Sequence, residues 1–219
     1  MSEFINTSFP INERVLNFRD ISLYNPKIQS GIVFRSASMT SVQDNIHFED
    51  FIRTRKIQTI IDLRADREVA EGKYSEASLK YFRWVHTPFD PWNQSIDFQA
   101  TNQNGTDIEK AYRFFALQCK KSILEAIEAI IHENESIVIH CHAGKDRTGI
   151  LVTLLHLASG ADEAIIYNEY LASESDTKKE YMNIILEIIQ QHNGITDYLL
   201  SCGLTSHQLS LLNKRLLKI

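Results

Sequence analysis

The chain has 219 residues, 43% hydrophobic and 23% charged, with 8 glycines and 4 prolines. That length can bury a sizeable core, and that composition excludes disordered, collagen-like and low-complexity classes. The net charge of -5 excludes a nonspecific nucleic-acid binder, which needs a broad positive field, so no nucleic-acid partner is expected.

The three cysteines, Cys119, Cys141 and Cys202, are too few and odd in number for a disulfide scaffold, and fit a reducing compartment with a free thiol. Residues 1–10 lack the basic start and apolar stretch of a signal peptide. The longest apolar runs, near 150–158 and 184–189, are too short or interrupted to span a bilayer. The expectation is a cytoplasmic protein, or one exported without a signal peptide, with no stable membrane insertion.

In chain order, strands are expected at 31–35, 57–63, 81–87 and 136–140, where β-branched and apolar residues cluster between polar turns. Short helices are expected at 42–54 and 66–71. Ala111, Phe115, Ile123, Ile127 and Ile130 suggest one long helix over 107–132. Further helices are expected at 148–158, 162–172, 179–192, 194–202 and 205–216. Strands alternating with helices predict an α/β fold with a central, mostly parallel sheet and a helical C-terminal half. The domain expectation is a single domain over 1–219. The polar stretch at 90–106 reads as a lid or loop insertion.

The segment His140-Cys141-His142-Ala143-Gly144-Lys145-Asp146-Arg147-Thr148-Gly149 carries the chemistry. It joins a strand to an apolar helix, the expected ligand crevice of an open α/β sheet. Backbone N–H groups from His142, Ala143, Gly144, Lys145, Asp146 and Arg147 can form a nest for an oxyanion, with the positive end of the helix behind it. Gly144 supplies the backbone freedom such a turn needs. The Arg147 fork matches two phosphate oxygens. A cysteine in that positive field ionises readily and attacks phosphorus. Thr148 can donate a hydrogen bond to the sulfur.

This segment resembles the Cys-x5-Arg-Ser/Thr signature of the cysteine-dependent protein tyrosine phosphatases. The Ala-Gly-Lys-Asp-Arg-Thr-Gly form is similar to that of bacterial atypical phosphatases with tyrosine, dual-specificity and phosphoinositide activity. Asn17-Phe18-Arg19-Asp20 resembles that group's Asn-Phe-Arg-Asp motif, although Ile21-Ser22-Leu23 replaces the glycines that usually follow. Val33-Phe34-Arg35-Ser36-Ala37 and Ile60-Ile61-Asp62-Leu63-Arg64 resemble its Arg-Ser and Asp-Leu-Arg segments. The resemblance runs from about residue 13 to the end. It implies the phosphatase α/β fold and a phosphomonoesterase using a phosphocysteine intermediate, on phosphotyrosine proteins, phosphoinositides or both. Phosphate and vanadate are the implied ligands.

Ester cleavage needs a proton donor for the leaving oxygen. The family carries an aspartate on a loop in the region of Asp90, which is the leading candidate, with Asp97 and Asp146 as alternatives. Lys145 is a second cation; in the resembling group a lysine here accompanies phosphoinositide substrates. The overall acidity works against binding an anionic membrane. Phe89 and Trp92 either flank an aromatic substrate or pack the loop.

His140 and His142 flank the cysteine, but no further Cys/His pair has ligand spacing, so no metal and no cofactor is expected. His140 reads as a buried residue shaping the loop and His142 as a rim residue. Asp62 and Arg64 read as a positioning ion pair, with Arg35 and Asp20 supporting the site from behind. Cys119 and Cys202 read as inert. The alternatives are a module that binds phosphate without hydrolysing it, or a phosphatase of a soluble inositol phosphate or another small phosphomonoester.

Overall fold

The computed structural model describes residues 14–90, 105–174 and 176–218. Among these residues lie five strands, β1 (Arg19–Asp20), β2 (Val33–Ser36), β3 (Ile57–Asp62), β4 (Arg83–His86) and β5 (Ser136–His140). They lie in the order β1-β2-β5-β3-β4, with all neighbours parallel except the β1–β2 pair. The sheet is thus mixed and mostly parallel, as expected. β1 was not foreseen, because two residues carry no alternation pattern.

The central strand β5 is buried along its whole length, as a parallel strand covered on both faces should be. Ile137 and Ile139 enter the larger core, and Val138 enters the smaller one on the opposite face, following the two-residue period of a strand. Ser36, His140, Asp62 and His86 are aligned in register across β2, β5, β3 and β4. All four strands therefore end on one edge.

The helices are α1 (Phe48–Thr54), α2 (Asp66–Glu71), α3 (Asp107–Gln118), α4 (Lys120–His132), α5 (Asp146–Ala158), α6 (Glu163–Leu171), α7 (Lys179–Gln191), α8 (Ile195–Ser201) and α9 (Ser206–Leu216). α5 is buried at every position from Thr148 to His156, consistent with its nearly all-apolar sequence. It carries the central loop's exit directly into the core.

Two helices differ from expectation. The helix expected over 107–132 is broken at Cys119 (φ -86°, ψ 26°) into α3 and α4. The bend lets α3 pack on α7 while α4 packs on α9, so tertiary contacts override a continuous apolar pattern. The helix expected over 42–54 begins only at Phe48. Before it the chain runs in successive turns, Val42 to Met39, Asn45 to Val42 and Phe48 to Asn45. Asn45 Oδ1 accepts the His47 N–H at 2.9 Å, a local side-chain bond that competes with helix.

The expected lid region, with Trp92 and Asp97, lies almost wholly outside the described residues. Among the described residues no helix is long and apolar enough to cross a membrane.

Candidate active site

The loop from Cys141 to Arg147 leaves the C-terminal end of β5 and enters α5. Gly144 has φ +66°, and a Cβ there would lie 2.1 Å from the Ser36 backbone oxygen. Both the dihedral and the close approach to β2 demand glycine.

Five successive carbonyls of this loop receive hydrogen bonds. His140 Nδ1 lies 2.9 Å from Cys141 O. Ser38 N–H donates to His142 O at 2.9 Å, and Asn17 Nδ2 donates to Ala143 O at 2.8 Å. Arg35 Nη2 donates to Gly144 O at 2.6 Å and to Lys145 O at 3.2 Å. A peptide unit is planar, so pinning each carbonyl on one side turns the following N–H to the other. That is the requirement for an anion nest.

Arg147 is gripped by Glu68 of α2. Its Nη2 donates to Oε1 at 2.8 Å and its Nη1 to Oε2. Burial pulls the Arg147 guanidinium down, but the Glu68 bonds and the nearby Cys141, Glu68 and Asp146 charges leave it raised. Burial also opposes the Glu68 carboxylate, yet its bonds with Arg147 hold it below the ordinary value. Glu68 Oε2 accepts the Ala65 N–H at 2.7 Å as well. One carboxylate thus caps α2 and orients the arginine. Glu68 was not foreseen; its position three residues past the N-cap Ala65, the third of the helix, was the available signal.

Beneath the cysteine lies a buried cluster. Asp62 binds Arg64 with Oδ2 at 2.7 Å from Nη2, and Trp84 Nε1 donates to the same oxygen at 3.2 Å. Burial opposes the Asp62 charge, but His140 and Arg64 outweigh it and hold the carboxyl near 2. His140 is fully buried, with Nε2 3.0 Å from the Tyr74 hydroxyl. Burial lowers its pKa against the pull of Asp62. Nδ1 faces the Cys141 carbonyl and therefore carries a proton.

Asp146 opens α5, and its Oδ1 accepts from the Tyr112 hydroxyl at 2.6 Å. The Tyr112 and Tyr170 hydroxyls are also 2.6 Å apart. Lys145 Nζ lies 3.8 Å from Asp146 Oδ2. Thr148 is fully buried, and its hydroxyl has no hydrogen-bond partner among the described residues. His142 is exposed at the rim. Beside it opens a cavity of about 360 Å³, lined in part by Arg14, Ser38, Thr40, Arg64 and Glu68.

Asp90 is 5% exposed, and its backbone N–H is bonded to the Cys119 thiol. Both the Asp90 carboxylate and the Arg147 guanidinium act electrostatically on that thiol. Burial, the largest influence, pushes Cys119 up to about 12 and Cys202 up to about 11, matching the inert reading. Phe89 is fully buried against Phe115, so it packs the core rather than flanking a substrate.

Arg35 reaches the Gly144 and Lys145 carbonyls of the loop, and Arg64 pairs with Asp62. Asp20 does not support the site from behind: its carboxylate accepts Ser22 N–H, Gly31 N–H and Ser30 Oγ. It caps a short 3-10 helix and ties down the turn before β2. Among the described residues no group of three or more His, Cys, Asp or Glu side chains could hold a metal ion.

A model of the tyrosine phosphatase family matches residues 11–218. The chain belongs to the tyrosine phosphatase family. It is a cysteine-dependent phosphatase, and its substrates are phosphorylated compounds. It is similar to the triple specificity protein phosphatase PtpB of Mycobacterium tuberculosis (strain ATCC 25618 / H37Rv), 27% identical over 202 residues, covering 80% of this phosphatase and 72% of PtpB. Among solved structures it is similar to the core catalytic domain of the PP-IP phosphatase SIW14 from S. cerevisiae, at 16% identity and TM-score 0.47, over 81% of this chain and 93% of that one. It is also similar to P. aeruginosa TpbA, at 14% identity and TM-score 0.46, over 82% and 94%.

Proposed function

We propose that this phosphatase hydrolyses phosphomonoesters on phosphotyrosine proteins and phosphoinositides through a phosphocysteine at Cys141. The observation that carries the reading is the row of five pinned carbonyls, which leaves the N–H groups of the following peptides facing the opposite way along the loop that ends in Arg147. Phosphate oxygens sit in that nest and on the free side of the Arg147 fork.

The Cys141 thiolate attacks phosphorus and the P–O bond of the ester breaks. Asp90 gives its proton to the leaving oxygen. Water then attacks phosphorus, an aspartate takes its proton, and the P–S bond breaks. The Thr148 hydroxyl, buried and unpartnered among the described residues, donates to the departing sulfur. Asp146, with Oδ1 already occupied by Tyr112, is the second proton carrier. Rate comes from positioning and charge stabilisation, as in phosphoryl transfer generally. Lys145 offers a point charge for a second phosphate, which suits an inositol head group better than a phenol. The triple specificity for which PtpB is named supports a broad substrate range.

Phosphate release from a phosphotyrosine peptide, a phosphoserine peptide and mono- and bis-phosphorylated phosphoinositides tests this, with reductant and without added metal. Vanadate-sensitive release from the tyrosine and lipid substrates is expected. Silence across the panel with vanadate still bound would point to a phosphate-binding module or to a small phosphomonoester.

A further inference from the structure

Glu169 lies on α6, outside the signature loop, and is 1% exposed. Its carboxylate holds two arginines, with Oε1 2.9 Å from Arg19 Nε and Oε2 2.5 Å from Arg35 Nη1. Arg19 is fixed further by the Glu169 carbonyl at 2.7 Å and Ser173 Oγ at 2.9 Å. Arg35 is fully buried. Its other terminal nitrogen reaches Gly144 O and Lys145 O.

We infer that Glu169, acting through Arg35, is a positioning residue that sets the anion affinity of the 141–147 loop. A guanidinium is a rigid plane, so binding Nη1 to Glu169 fixes where Nη2 points. Nη2 then holds the carbonyls of two consecutive peptides, whose N–H groups belong to Lys145 and Asp146. The buried positive charge also polarises those peptides, strengthening the N–H groups as donors.

A second contact seats α6 against the exit of the loop. A Cβ on Gly149 would lie 2.9 Å from the ring of Tyr170, the neighbour of Glu169. The glycine therefore admits α6 at a distance no other residue allows. The inference rests on the proposed function, in which this loop holds the substrate phosphate.

The test is vanadate inhibition of p-nitrophenyl phosphate hydrolysis in the full chain and in Arg35→Lys, Glu169→Gln and Tyr198→Phe. The lysine keeps the charge but loses the fork, and the glutamine keeps the shape but loses the charge. Each should raise the vanadate inhibition constant by about tenfold or more, in step with the loss in kcat/KM, as expected for lost bonds to a charged group. Tyr198→Phe removes a buried bond to Ala116 O (2.7 Å), outside the 141–147 loop and the Glu169–Arg35 pair. It should lower Tm and leave both constants as they were. Folded Arg35→Lys or Glu169→Gln protein with wild-type vanadate inhibition would overturn the inference. So would failure of both to fold beside a folded Tyr198→Phe, which would make the pair a folding element. An uninhibited wild-type enzyme would instead overturn the phosphate-loop reading.

Discussion

Glu68 Oε1 lies 2.8 Å from Arg147 Nη2, and Oε2 binds Nη1 of the same side chain. The carboxylate occupies one edge of the guanidinium fork and so fixes the direction of the remaining N–H bonds. An arginine that must meet a phosphate bidentately is thereby oriented before substrate arrives, which reduces the ordering left to do on binding.

Glu68→Ala should therefore lower kcat/KM for p-nitrophenyl phosphate by about tenfold or more, the scale of a lost charge-assisted pair. Glu68→Gln still accepts from Ala65 N–H and should lose less. Steady-state kinetics checks both, and a wild-type rate in Glu68→Ala would show that Arg147 needs no such hold.

Gly144→Ala should abolish turnover and lower Tm. Its Cβ would stand 2.1 Å from Ser36 O, and its φ of +66° disfavours any side chain. Thermal melting with a parallel activity assay reads the effect, and a stable, active variant would contradict the described loop geometry.

Asp90→Asn should slow cleavage of an alkyl phosphate far more than that of p-nitrophenyl phosphate, because a good leaving group needs little protonation. Equal losses on the two substrates would move the acid role to Asp146, whose Oδ1 is held by Tyr112, or to Asp97.

The Asp62 carboxyl is held near 2, below the ordinary 3.8. A depressed folded-state value adds stability that is fully present above the unfolded value. It is lost as pH falls through the interval from about 4 to about 2, and amounts to roughly 2 kcal/mol at neutral pH. Denaturant unfolding of wild type and Asp62→Asn across pH 2 to 6 should show the wild-type curve falling more steeply in that interval than the variant's, which keeps the acid sensitivity of carboxylates such as Glu68. Parallel curves would contradict the assigned ion pairing.

The signature loop, the strands that flank it and most of the helices were legible because their signals are local. Gly144, Arg147 and the apolar run of α5 stand within one short stretch of chain. Glu68, Glu169 and Tyr112 were not legible. Their partners Arg147, Arg35 and Asp146 lie 79, 134 and 34 positions away, and a lone surface-type residue in sequence gives no sign of such pairing. The break at Cys119 was hidden for the same reason, since the helices that α3 and α4 pack against, α7 and α9, come much later in the chain. Asp20 went astray because a short acidic side chain beside a family-like motif can equally be a cap, and here it caps.

In the proposed mechanism Cys141 takes the phosphoryl group from substrate. Rapid acid quench during turnover of a phosphotyrosine substrate, followed by mass spectrometry of the peptides, tests it most directly. A phosphate adduct on Cys141 is expected, absent in Cys141→Ser, which should still bind vanadate while turning nothing over. A phosphoryl group trapped on another residue, or turnover retained in Cys141→Ser, would contradict that mechanism.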